Sequence, residues 1–268
     1  FWMKENDSST ISINADITTT GSNAIGFYSE SSDSNNITVT GDINTSGADA
    51  NAVYISTSNY NRSIIITGDI STTGQGASGI YQVSSNENTT VITGDISTTG
   101  QGASGIYQEV ADANTTSVNG NISTTGQQAP GIFTSNADNN TFVINGNIIT
   151  AGTDVNSVPI LISNSDSNTF NLSGKVHSLG GDQATSIDAD SDANTFYIYS
   201  GATFLGDFEN LGTNTDITNQ GVMDGIDNTG SIATFNNAQT GAIYSGTLPV
   251  NYNIIINSPT SYGQMFVT

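Results

Sequence analysis

A single histidine, His177, stands next but one to Lys175 and ahead of Asp182, Asp188, Asp190 and Asp192. An imidazole among carboxylates can serve acid–base chemistry, and a pair of carboxylates can serve a glycosidase. The same residues have a plainer reading, because the aspartates fall on turn positions and a lone histidine on a surface strand is ordinary. Neither a GxSxG phrase nor a Ser/His/Asp order accompanies them. A lyase acting on acidic polymers needs basic groups for the substrate carboxylate and the abstracted proton, and Lys4, Arg62 and Lys175 are scattered. No catalytic residue is assigned, and the chain reads as non-enzymatic.

Two other patterns bear on binding. Asp33, Asn86, Asp112, Asp138, Asp166 and Asp192 recur in phrases such as DSN, DAN and DNN. Stacked carboxylates repel, and oxygen-rich turns suit Ca²⁺, with Asp112, Asp138, Asp166 and Asp192 as candidate ligands. The calcium phrase GGxGxD is absent and aspartate is common in turns, so a purely turn-forming role stays open. The second pattern is aromatic: Tyr28, Tyr54, Tyr81, Tyr107 and Phe133 each follow an aliphatic or aromatic residue, Ile80 before Tyr81 for example. If Ile80 points inward, strand alternation turns Tyr81 outward and makes a band able to hold glycan rings or another protein. The opposite register would put the rings in the core.

The elements that position these residues come from a repeat. The run ITGDISTTGQGASGIYQ occurs at Ile66 to Gln82 and again at Ile92 to Gln108, an offset of 26 residues. Degenerate units begin at Ala15, Gly41, Gly68, Gly94, Gly120, Gly146, Gly174 and Gly201. Within each unit, three short β-prone pieces alternate with Gly, Asn and Asp turns, and no helical periodicity intervenes. Three strands and three turns close one triangular coil, and stacked coils pair like strands about 4.8 Å apart. The expected fold is all-β, a single right-handed parallel β-helix.

Columns of equivalent residues define its core. The first strand supplies Ile17, Ile43, Ile70, Ile96, Ile122, Ile148 and Val176; the second supplies Phe27, Val53, Ile80, Ile106, Ile132, Val158 and Ile187. The third supplies pairs such as Ile37/Val39, Phe142/Ile144, Phe170/Leu172 and Phe196/Ile198. Asn35, Asn61, Asn88, Asn114, Asn140, Asn168 and Asn194 should form an amide ladder along the stack. Gly21, Gly47, Gly74, Gly100, Gly126, Gly152 and Gly180 are expected where a corner needs φ > 0. Residues 1–200 form the wide coils, 201–247 shorter coils of about 20 residues from the spacing of Gly201, Gly221 and Gly241, and 248–268 an irregular cap.

With 3 Lys+Arg against 24 Asp+Glu, the formal charge is −21. Such a surface repels nucleic acid and anionic membranes, which require basic clusters, and no segment is apolar enough for direct membrane insertion. Cysteine is absent, which is compatible with secretion but does not fix a compartment. The N-terminal FWMKENDSST lacks a basic region followed by an apolar run, so any export signal is expected to have been removed or to lie outside this sequence.

The G-[DN]-I-x-T-x-G coils, the phrase ITNQGVMDGIDNTGSI and the closing GTLPVNYNIIINSPTSYGQMFVT together resemble the passenger region of bacterial autotransporters of the type V secretion route. The resemblance implies a right-handed β-helix exported through an outer-membrane barrel to the cell surface. A surface-exposed adhesin or stalk is the leading expectation, with a cell-surface glycan or protein as partner. A self-assembling fibre or surface-layer subunit, binding copies of itself, is the alternative, and a glycan-acting hydrolase ranks third.

Overall fold

The computed structural model describes residues 1–61 and 63–268; Arg62 lies outside the described residues. The chain is a β-solenoid of about 10 turns, built from parallel strands and, among the described residues, without a helix. Each wide coil contributes one short strand to each of three faces. In one such coil these are Ile96–Thr98 on the first face, Ile106–Glu109 on the second and Thr115–Val118 on the third.

The coil motif explains its own geometry. In Ile96-Ser97-Thr98 the isoleucine points into the core and the serine outward, while the threonine points back in. Its Oγ1 donates to the carbonyl of Ala103 at 2.6 Å and ties down the corner that follows; Thr124 does the same to Ala129 at 2.6 Å one coil later. Ile80 pairs with Ile106, and Ile106 with Ile132, so like side chains lie over one another and are wholly buried. On the third face Phe142, Phe170 and Phe196 form an internal stack with ring centroids 4.9 and 4.8 Å apart. Each buried aliphatic side chain contributes roughly 1.5–3 kcal/mol, and the continuous column makes those contributions cooperative along the stack.

Three details depart from the expected pattern. The glycines Gly47, Gly74, Gly100 and Gly126 are not required by positive φ. A Cβ at Gly74 would stand 1.8 Å from the carbonyl oxygen of Gly47, so these glycines exist to let successive backbones approach. In the second-face column, Ile132 is followed by Ile160 rather than Val158, and Ile187 pairs with Ile162. The corner before Ile160 carries two more residues than its predecessors, which displaces Val158 from the strand into the turn.

The third departure concerns the shorter coils. Thr203–Asn210 is a single eight-residue strand that pairs with Lys175–Ser178 of the first face and with Gln183–Ile187 of the second. Two faces merge there, one corner disappears, and the coil shortens. Equivalent residues such as Asn210 and Asn228 then lie 18 residues apart, less than the glycine spacing suggests. The stack also continues into the segment expected to be an irregular cap: Asn251–Ile254 extends the third face and Met265–Val267 the merged face. Between them, Ile256–Ser258 and Ser261–Tyr262 form a small antiparallel pair.

Candidate functional site

Strand alternation settles the register of the aromatic column. In Ile80-Tyr81-Gln82-Val83 the first and third residues are buried, and Tyr81 is half-buried on the outer surface. Tyr28, Tyr54, Tyr81, Tyr107 and Phe133 pair successively along the second face. Ring centroids are 5.0, 5.1, 4.8 and 4.7 Å apart. Trp2, absent from the repeat pattern, stacks on Tyr28 at 5.8 Å and extends the row by one ring. The column continues through Leu161 to Ser186, and the row of rings therefore ends at Phe133.

The rings do not form a flat band of exposed faces. Tyr81, Tyr107 and Phe133 are nearly coplanar in orientation, with interplanar angles of 3° and 10°, so each covers the face of its neighbour. What the row presents outward is ring edges and hydroxyls. Tyr81 donates its hydroxyl proton to the Glu109 carboxylate. Partial burial, reinforced by that carboxylate, holds Tyr81 far above the ordinary phenol range and lifts Tyr107 to about 12. Both hydroxyls therefore remain protonated donors across the physiological range.

The aspartate column forms a ladder of hydrogen bonds to the main chain. The Oδ1 of Asp112 accepts the main-chain N–H of Asp138 at 2.8 Å, Asp138 that of Asp166 at 2.7 Å, and Asp166 that of Asp192 at 2.6 Å. Asp192 in turn accepts from the N–H of Thr213 at 3.0 Å. Asp33, Asn59 and Asn86 continue the same ladder toward the N-terminus, so a neutral amide serves as well as a carboxylate. Among the described residues, no three acidic or imidazole groups come together as metal ligands. A second ladder of the same kind, through Asp16, Asp42, Asp69 and Asp95, runs along the second position of each unit. Its signal in the sequence is the recurrent G-D-I phrase.

The buried asparagines run with the opposite polarity. Asn88 donates its main-chain N–H to Oδ1 of Asn114, in the next coil, at 2.9 Å, and Asn114 donates its amide to the Ser85 carbonyl at 2.8 Å. The expected amide ladder is present, but it links side chain to main chain rather than amide to amide.

The histidine is not grouped with the aspartates that follow it in sequence. Asp188 accepts from the Ser163 and Ser191 hydroxyls at 2.7 and 2.6 Å, Asp190 lies in an exposed turn, and Asp192 belongs to the ladder. His177 instead lines an open cleft of about 540 Å³ with Asp182, Asp207 and Asp224. Desolvation, then the nearby Lys175, keeps its imidazole below the usual range. Asp207 is pushed up by partial burial and by Asp227, Asp182, Asp224 and Glu209. Asp207 and Asp224 escaped the sequence reading because they come from later coils. The buried Nδ1 of His177 has no hydrogen-bond partner among the described residues.

Fold and surface together define a β-solenoid repeat protein with an external aromatic row. No protein-family model, curated protein or solved structure matches the chain.

Proposed function

We propose that this chain is an extracellular, non-enzymatic surface protein of a bacterium, a passenger-type β-solenoid that acts as a stalk and adheres through one long face. The observation that carries this reading is the row of half-exposed rings from Trp2 to Phe133, roughly 24 Å long at five strand spacings. Tyrosine and tryptophan combine large apolar area with a hydrogen-bonding edge and few rotors, which is why they dominate adhesive surfaces. The partner is a cell-surface glycan or protein, and the net charge of −21 directs the choice away from polyanions. The resemblance of the coils and of the closing segment to autotransporter passengers supports export across an outer membrane.

Beads coated with the protein should attach to a panel of epithelial and bacterial cells, and the Tyr54→Ser/Tyr81→Ser variant, with its fold verified by circular dichroism, should attach several-fold less. Attachment by neither protein, or by both equally, would remove the adhesive reading.

A second reading, a self-assembling fibre subunit, is supported by apolar side chains exposed near the C-terminal end of the stack, including Val250 at 76%, Ile256 at 73% and Phe266 at 60%. Sedimentation velocity separates the two: a concentration-independent monomer eliminates the fibre, and filaments in electron micrographs favour it.

A further inference from the structure

The row of rings ends where the repeat is broken, and a cleft of about 510 Å³ opens at that point. Its floor is Tyr107, Phe133 and Leu161, and its walls include Gln128 and Asn156 on one side and Ser186 on the other. Two sequence events make it. The column changes from ring to leucine to serine between Phe133, Leu161 and Ser186, which removes side-chain bulk from the outer surface. The lengthened corner containing Asn156 stands over the strand and forms a rim. Tyr107 covers one face of Phe133, and Leu161 rather than a further ring follows it, so ring edges and the Leu161 side chain form an apolar floor.

We infer that this cleft, bounded by Phe133, Leu161, Gln128, Asn156 and Ser186, binds a neutral sugar ring, the terminal or internal pyranose of an uncharged glycan. One face of a pyranose carries C–H groups that rest on an apolar floor, and its hydroxyls need convergent donors and acceptors. The cleft holds both. At Gln128 and Asn156 the structural hydrogen bonds come from the main-chain nitrogens, which leaves both side-chain amides facing the opening to donate and accept. Ser186 gives its hydroxyl proton to Glu209 at 2.8 Å and so offers its oxygen as an acceptor. None of the lining residues is cationic, while Asp188 brings a carboxylate to the wall, so sialic and uronic acids would be repelled.

This assignment rests on the adhesive reading but is tested without cells. The purified chain would be applied to an array carrying glucose-, galactose-, mannose- and N-acetylglucosamine-terminated oligosaccharides beside sialylated ones. Retention by at least one neutral glycan is expected, with affinity falling about tenfold or more in both Phe133→Leu and Asn156→Ala at unchanged melting temperature. Asn156 lies on an exposed corner, so its variant keeps the test valid if Phe133→Leu weakens the fold. Binding to no neutral glycan, binding only to sialylated ones, or binding that survives Asn156→Ala overturns the site. If the array is blank while bead attachment still depends on Tyr54 and Tyr81, the cleft assignment fails and the adhesive face stands; loss of attachment itself would fall on the adhesive reading.

Discussion

Gly100 sits so close above Gly74 that a Cβ added to it would lie 1.8 Å from the Gly74 carbonyl oxygen. The approach sets the pitch of the stack at that corner, and no rotamer change can relieve a clash between two backbones. Gly100→Ala should therefore cost more than about 4 kcal/mol and lower the melting temperature by roughly 10 °C or more, or prevent folding. Gly102, two residues on, has φ +69° but open space around its Cα. Gly102→Ala should cost only about 1–2 kcal/mol, the penalty of a left-handed backbone. Thermal melts of the two variants, followed by circular dichroism, test the contrast; equal losses would contradict the close-approach account.

Asn114 is buried with both ends of its amide bonded to main chain. Asn114→Ala strands a buried N–H and a buried carbonyl and should cost about 2–4 kcal/mol. Asn114→Asp keeps the acceptor but buries a charge beside a carbonyl. Burial raises the folded-state pKa of that acid above its unfolded value, so the destabilisation grows as pH rises through about 4 and shrinks below it. Urea titrations of the variant at pH 3.5 and pH 7 should show the smaller deficit at the lower pH.

The carboxylates of Asp138 and Asp166 already serve main-chain N–H groups of the coil above, and Asn59 and Asn86 perform the same task in earlier coils. EDTA should leave the melting temperature unchanged to within about 1 °C, the scale of an ordinary surface effect. Asp138→Asn should be neutral or slightly stabilising, since it keeps the acceptor and removes one of several like charges. A clear drop with EDTA, restored by Ca²⁺, would assign a bound cation to the column.

Asp207 has its pKa raised by partial burial and by the surrounding Asp227, Asp182, Asp224 and Glu209. In the folded chain its ionised form is disfavoured, so the native state holds the proton more tightly than the unfolded one. The resulting penalty is absent at low pH and develops as pH rises through the unfolded value toward the folded one. Asp207→Asn should raise the melting temperature at pH 7 by roughly 1–2 °C and have no effect near pH 3, as read by calorimetry.

Most of the wide coils could be read from the repeat because their contacts are periodic in the same 26 residues as the sequence. Ile96, Ile106 and Asn114 each recur at the next coil and pack or bond on their own equivalents. The outward setting of Tyr81 followed from Ile80 pointing inward, but the opposite register stayed open because Gln82, a polar residue, shares the inner side with Ile80. The corner after the second face was legible only in part: left-handed Asn136, Asn139 and Asn164 carry a turn signature, whereas Glu87, Val110 and Ala113 take the same conformation without one. The cleft escaped notice for the opposite reason, since it arises where Leu161 and the corner near Asn156 depart from the period.

The glycine contacts and both aspartate ladders are written in units of one coil, with identical donors and acceptors on the upper and lower sides of each. A recombination event between the matching stretches at Ile66 to Gln82 and Ile92 to Gln108 would add or delete a whole coil and leave every junction intact. Such a gene can change the reach of its product from one generation to the next without passing through an unfolded intermediate form. The broken coil that carries the cleft has no equivalent partner for such an exchange, so the length of the shaft is free to vary while the cleft stays single.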